Sequence, residues 1–140
     1  MAKAKLHNID DKTLYTDAYR GVGACGEAFF LFATSIPKNL GDNVKKIHSR
    51  LDDAAYFILK ASNTYDLAEK VENLDAAYER LFALQSSFYY LTKSHGVTIG
   101  QANTVIDLVR SVYEQVDSWK KKILEKMPKP PSESSGREVR

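Results

Sequence analysis

Three glycines in the first quarter of the chain have the spacing of a phosphate-binding loop. The segment from Gly21 to Gly26 reads Gly-Val-Gly-Ala-Cys-Gly and matches the GxGxxG pattern of dinucleotide-binding sites. In those sites a strand precedes the glycines and a helix begins at them, so that the pyrophosphate meets the helix N-terminus. Here the flanking residues have helical periodicity and no βαβ unit follows. We therefore interpret the glycines as places of close helix packing.

The residue types that most often act in catalysis form no recognisable set. Cys25 is the only cysteine and lies on an apolar helical stripe, whereas a catalytic thiol needs a base and an electropositive, partly open environment. His7, His48 and His95 have no signature spacing. The Glu-x-x-His pair of carboxylate metal sites in bundles does not occur. The sequence predicts a buried structural cysteine, no catalytic residues, no metal site, no cofactor and no enzymatic activity.

Two groups of basic residues could bind the phosphates of RNA or DNA. We define the first basic group as Lys38, Lys45, Lys46 and Arg50, and the second basic group as Lys120, Lys121 and Lys122. The isoelectric point of the chain is about 8.6, which is below the value of about 9 or more that is usual for a nucleic-acid-binding domain. The alternative interpretation is therefore that these residues lie on ordinary solvated helix faces.

Aromatic residues are more numerous than one small core requires. Phe82, Tyr89 and Tyr90 fall outside the main apolar stripe of the third predicted helix, and Tyr56 and Phe57 widen the stripe of the second. An exposed apolar set of this size is typical of an interface between subunits. These five residues are predicted to form an oligomer interface, and a broad core face is the alternative.

The clearest of the elements that hold these residues is a helix from Thr98 to Lys126. Thr98 and Gln101 predict a capping box at its start, and Pro128 predicts its end. Seven apolar residues follow one another at alternating spacings of three and four, the repeat of a helix packed nearly parallel to others. They are Ala102, Val105, Val109, Val112, Val116, Trp119 and Ile123.

Three more helical stripes precede this one, and breaks at Ile36-Pro37, at residues 62–64 and at residues 93–96 separate them. Short connections between long helices favour antiparallel neighbours. The sequence therefore predicts an all-α protein, an antiparallel up-down-up-down four-helix bundle. The predicted boundaries are 1–12 for a flexible N-terminus, 13–127 for the bundle and 128–140 for a disordered tail. No stretch is long and apolar enough to span a membrane, and we expect a cytoplasmic protein.

Short motifs at the breaks resemble those of a known family. The stretch Ala33-Thr34-Ser35-Ile36-Pro37-Lys38 is similar to the A-x-S-I-P-[RK] stretch of the accessory variability determinant proteins of diversity-generating retroelements. Three further matches agree in order and spacing over roughly residues 14–124. They are Ala61-Ser62-Asn63, His95-Gly96-Val97-Thr98 with Gln101, and Asp117-Ser118-Trp119.

The resemblance implies a four-helix bundle that assembles as a homopentamer and has a non-enzymatic role. It implies binding to a reverse transcriptase and to RNA, the template-repeat transcript, with DNA as a further ligand, in support of mutagenic retrohoming. The same superfamily includes four-helix proteins encoded in intervening sequences of ribosomal RNA genes. An oligomeric protein-interaction module of that type, without a reverse transcriptase partner, is therefore the alternative expectation.

Overall fold

A computed structural model describes the backbone of residues 2–128 and the side chains of Lys12 and residues 14–128. Within these residues the chain forms four α-helices and no strand. They are α1 (Ala2–Ala33), α2 (Gly41–Ser62), α3 (Leu67–Lys93) and α4 (Ile99–Lys126), and a short 3-10 helix, Lys38–Leu40, precedes α2. The prediction of an all-α fold is confirmed.

Helices α2, α3 and α4 pack side by side in alternating directions, and α1 closes the bundle by packing against both α2 and α4. The direction follows from cross-helix contacts, in which a rising residue number on one helix meets a falling number on the next. Those contacts are Asp53 with Arg80 and Ala61 with Lys70 between α2 and α3, and Asp75 with Lys120 and Gln85 with Arg110 between α3 and α4. The alternating directions of α2, α3 and α4 agree with the prediction.

Helix α4 supplies the longest continuous part of the core. All seven residues of its predicted repeat are at most 2% exposed, and the Trp119 ring is completely enclosed. At the start of the helix the Thr98 hydroxyl accepts from the Gln101 amide at 3.0 Å, and the Gln101 side chain accepts from the Thr98 amide at 2.9 Å. The predicted capping box is therefore present, and it satisfies two amides that the helix leaves without partners.

The first helix is longer than predicted. It begins at Ala2, whereas the sequence placed its start near Thr13. Residues 2–12 contain no glycine or proline, and the alanines, lysines and leucine among them are strong helix formers. At the other end, Met127 and Pro128 follow the last turn of α4, and the rest of the predicted tail lies outside the described residues.

The corner between α3 and α4 is closed by His95 and Gly96. The Gly96 amide donates to the Leu91 carbonyl at 2.8 Å and the His95 amide donates to the Thr92 carbonyl at 3.1 Å, the two hydrogen bonds of a Schellman motif. His95 has the left-handed conformation, with a φ of 61°, that glycine usually adopts at this position. Gly96 is needed for a different reason, since a Cβ there would lie 2.7 Å from Leu40 Cδ1.

Candidate nucleic-acid interface

The bundle separates the seven predicted phosphate-binding residues into two places. Arg50, in the first basic group, contacts Ser87 on α3, whereas Lys120, in the second, contacts Asp75 on the same helix. Ser87 and Asp75 are 12 residues apart, which corresponds to about 18 Å along a helix. The two groups therefore form two separate sites near opposite ends of the bundle.

Carboxylates partly neutralise the second basic group. Lys120 Nζ lies 2.6 Å from Asp75 Oδ1, and this hydrogen bond, with the charges of Asp75 and Asp117, raises the pKa of Lys120. Lys121 Nζ lies 3.0 Å from Asp117 Oδ2, one turn earlier on α4. Of this group, only Lys122 has no carboxylate within 4.0 Å among the described residues. A phosphate approaching here would meet two negative charges as well as three positive ones.

The first basic group forms no such pair with the acidic side chains that the structure describes. Lys38, Lys45 and Lys46 are exposed, and no carboxylate in the described part of the chain lies within 4.0 Å of their Nζ atoms. Arg50 is half-buried, and its Nη1 donates to the Ser87 hydroxyl. That hydroxyl in turn donates to the Ala83 carbonyl at 3.4 Å. A guanidinium has five N–H donors, so this anchor leaves most of them available to a ligand.

Four of the five predicted interface aromatics are largely in solvent. Phe82 is 60% exposed, Tyr56 55%, and Tyr89 and Tyr90 are each 51% exposed. Phe57 differs, because it is half-buried against the core and the Arg80 guanidinium lies 5.3 Å from its ring centroid. The surface predicted for subunit contacts is thus available at four positions, and Phe57 belongs in part to the wall between α2 and α3.

Cys25 has the environment of a structural residue, as predicted. It is completely buried, and desolvation by burial raises the pKa of its thiol to about 12. The nucleophilic thiolate is therefore scarce near neutral pH. Among the residues that the structure describes, no group of three or more histidine, cysteine or acidic side chains is arranged to hold a metal ion.

The interpretation of the glycines as close packing sites is right for one of the three. A Cβ on Gly21 would lie 2.5 Å from Val112 Cγ2, so α1 and α4 need this glycine to approach each other. For Gly23 and Gly26 the interpretation is wrong, because a Cβ at either position would meet nothing within 4 Å. Both glycines instead line an open groove of about 230 Å³ between α1 and α2, together with His48 and other residues.

Two buried polar residues on α3 were missed by the sequence interpretation. Lys70 and Asn73 are 8% and 9% exposed. Lys70 Nζ donates to the Ala61 carbonyl, at the end of α2, at 2.6 Å and lies 6.0 Å from the Trp119 ring centroid. The Ala61 carbonyl, in the last turn of α2, also accepts from the Thr64 amide at 3.3 Å, so Lys70 adds a charged second donor to it. Lys70 thus connects α2, α3 and α4 at the end of the bundle opposite the first basic group.

Comparisons of this chain with protein-family models, with curated proteins and with solved structures found no match. None of the helices described here is long and apolar enough to cross a membrane. Fold and surface chemistry therefore carry the functional argument.

Proposed function

We propose that this chain is a non-enzymatic, cytoplasmic accessory protein of a diversity-generating retroelement, which binds RNA and a reverse transcriptase. The observation that carries the nucleic-acid part is the first basic group, whose three lysines are exposed and have no carboxylate within 4.0 Å among the residues that the structure describes. The resemblance of the short sequence motifs, among them residues 33–38 and 95–101, to those of the accessory variability determinant proteins supports a role in a diversity-generating retroelement. On this proposal the chains assemble as a homopentamer through exposed aromatics such as Phe82 and Tyr56, and the template-repeat transcript or its DNA copy contacts the lysines.

The salt dependence of binding tests the nucleic-acid part directly. If four cations neutralise four phosphates of a single strand, the logarithm of the affinity falls by about 2.8 for each tenfold rise in salt. Between 50 and 200 mM salt the affinity should then fall by roughly 50-fold. Filter binding of a labelled transcript at these two concentrations measures the change. Absence of binding at the lower concentration would refute RNA binding.

Charge reversal locates the site and has a matched control. The Lys45→Glu/Lys46→Glu variant should lose most of its RNA affinity, because it places two negative charges in the first basic group. The Lys121→Glu/Lys122→Glu variant changes the net charge equally at the other end of the bundle and should lose much less. Equal losses in the two variants would mean that the effect comes from net charge, and the assignment of the site would be wrong.

The partner and assembly parts of the proposal have separate tests. Co-expression with the reverse transcriptase of a retroelement encoded beside the gene should yield a complex that remains stable during size-exclusion chromatography. Light scattering should give the mass of five chains, each of 15.8 kDa. A monomer at micromolar concentration would refute the pentamer and leave RNA binding to be judged by the filter assay.

The exposed aromatics favour one alternative, an oligomeric protein-interaction module that binds no nucleic acid. Largely exposed rings such as Phe82 and Tyr56 can bury apolar surface against a protein partner without help from charge. This function predicts an oligomer of unchanged mass in the charge-reversed variants and no RNA binding at 50 mM salt. The retroelement proposal predicts RNA binding under the same conditions.

A further inference from the structure

Helix periodicity places Tyr90 on the same side of α3 as Ser87, the residue that Arg50 of the first basic group contacts, although the sequence assigned Tyr90 to the oligomer interface. Lys46 precedes Arg50 by one turn of α2, and Tyr90 follows Ser87 by almost one turn of α3, so each pair shares a helix face. The contact of Arg50 with Ser87 joins the two faces. Because α2 and α3 are antiparallel, Lys46 and Tyr90 lie at about the same position along the bundle axis, on the wall between these helices.

This part of the wall combines positive charge with an available ring face. Tyr90 is 51% exposed, and no aromatic partner or cation is found against its ring among the described residues. Asp53 follows Arg50 by three residues on α2 and is directed toward α3, where its Oδ2 lies 3.8 Å from Arg80 Nε. Its charge is thus partly neutralised by a different cation.

We infer that the wall formed by Lys46, Arg50, Ser87 and Tyr90 binds single-stranded RNA, with phosphates at the two cations and an unstacked base on the Tyr90 ring. The inference rests on the proposed RNA binding and adds the form of RNA that is bound. Aromatic side chains bind unpaired bases by stacking on them. The bases of a duplex already stack on one another, so a duplex offers this wall its phosphates only.

The anchored guanidinium supports this assignment. The hydrogen bond to Ser87 holds Arg50 against α3, so less side-chain entropy is lost when a phosphate binds than for a free surface arginine. Lys46 has no such anchor and contributes charge alone. The site therefore has one oriented phosphate contact, one flexible one and one stacking surface.

Tyr89 provides a matched control for Tyr90, because it is equally exposed at 51% but is rotated by about 100° around α3, away from the wall. Fluorescence anisotropy at fixed salt would compare a labelled single-stranded 12-nucleotide RNA with a duplex of the same length. Tyr90→Ala should weaken binding of the single strand about tenfold, as expected for one lost stacking contact. Tyr90→Phe keeps the ring and should retain the affinity. Tyr89→Ala should change the affinity by less than about twofold. The salt dependence of Tyr90→Ala should equal that of the wild type, and that of Lys46→Gln should be shallower by about 0.7 in logarithmic slope.

Several results would overturn the inference alone. These are tighter wild-type binding to the duplex, equal effects of Tyr89→Ala and Tyr90→Ala, and a fall in oligomer mass for Tyr90→Ala, which would assign the ring to a subunit interface. Circular dichroism of each variant would establish that it is folded. Failure of the wild type to bind either RNA at low salt would refute the proposed function itself, so the two failures are distinguishable.

Discussion

The contact of Gly21 with Val112 leads to a prediction in which two neighbouring glycines respond oppositely to the same change. Gly21 and Gly23 are both inside α1, so alanine at either position gains about 1 kcal/mol of helix propensity. At Gly23 the new methyl group meets nothing within 4 Å, whereas at Gly21 it would lie 2.5 Å from Val112 Cγ2. Val112 is 1% exposed, and as a β-branched residue in a helix it has essentially one χ1 rotamer, so it cannot turn away.

The expected magnitudes follow from these two terms. Gly23→Ala should raise the free energy of unfolding by about 1 kcal/mol. In Gly21→Ala the same gain is opposed by overpacking, which costs about 1–3 kcal/mol, so the variant should be between neutral and about 2 kcal/mol less stable than the wild type. Because helix propensity cancels, the difference between the two variants measures the overpacking alone.

Urea unfolding followed by circular dichroism at 222 nm would measure both variants. It should be repeated at two protein concentrations, since assembly adds a concentration-dependent part to the stability. In thermal unfolding, 1 kcal/mol corresponds to about 3–5 °C for a domain of this size. Equal stabilisation by the two alanines would refute the close approach of α1 and α4 at Gly21. Val112→Ala in the Gly21→Ala background should restore stability beyond the sum of the single effects.

Three further predictions concern other contacts, and urea unfolding measures each. His95→Gly should raise the free energy of unfolding by about 1 kcal/mol, because a left-handed φ costs a non-glycine residue this much. Gly96→Ala should lower it, because the new Cβ would meet Leu40. If His95→Gly were destabilising and Gly96→Ala stabilising, the described connection between α3 and α4 would be wrong. Lys70→Met should lower it by about 1.5–3 kcal/mol, because the charged hydrogen bond to the Ala61 carbonyl is lost, and an unchanged value would place Lys70 in solvent. The thiol of Cys25 has a pKa of about 12 in the folded state and an ordinary pKa of 9.0 when the chain is unfolded. The free energy of unfolding should therefore fall as the pH rises between these two values, by up to about 1.4 kcal/mol per pH unit. Cys25→Ala should remove this part of the pH dependence, and an identical pH dependence in that variant would show that the thiol is not buried.

The sequence predicts a helix best where large apolar residues fill its whole seam. In α4 the repeat consists of valine, isoleucine and tryptophan apart from Ala102, and every one of the seven residues is buried. The start of that helix was predictable too, because the side chains of Thr98 and Gln101 act locally. Local hydrogen bonds and an unbroken apolar pattern need no knowledge of the neighbouring helices.

In helix α3 the apolar pattern of the sequence predicts some of the buried residues incorrectly. The spacing of its large apolar residues (Leu67, Val71, Leu74, Tyr78 and Leu81) predicts Val71 and Tyr78 in the seam. The structure instead buries Lys70 and Ala77 at the adjacent positions and leaves Val71 and Tyr78 half-buried. Alanine carries little hydrophobic signal, and lysine is seldom buried. Lys70 is buried because the end of α2 presents the Ala61 carbonyl to its Nζ, a feature of tertiary structure that no pattern within α3 contains.

The sequence motifs that resemble the accessory variability determinant proteins consist mainly of residues that the bundle itself requires. Ile36 is 8% exposed, the Ser35 hydroxyl donates to the Phe32 carbonyl at 2.7 Å, and Thr98 caps α4. Trp119 is completely buried. Each of these residues is explained by the packing or the turns of the bundle, so their similarity to a family supports a shared fold more directly than a shared ligand. Selection for a ligand must act on exposed residues whose identity the bundle does not require. Lys45, Lys46 and Tyr90 are such residues, and for that reason their variants decide between RNA binding and a bundle that binds only protein.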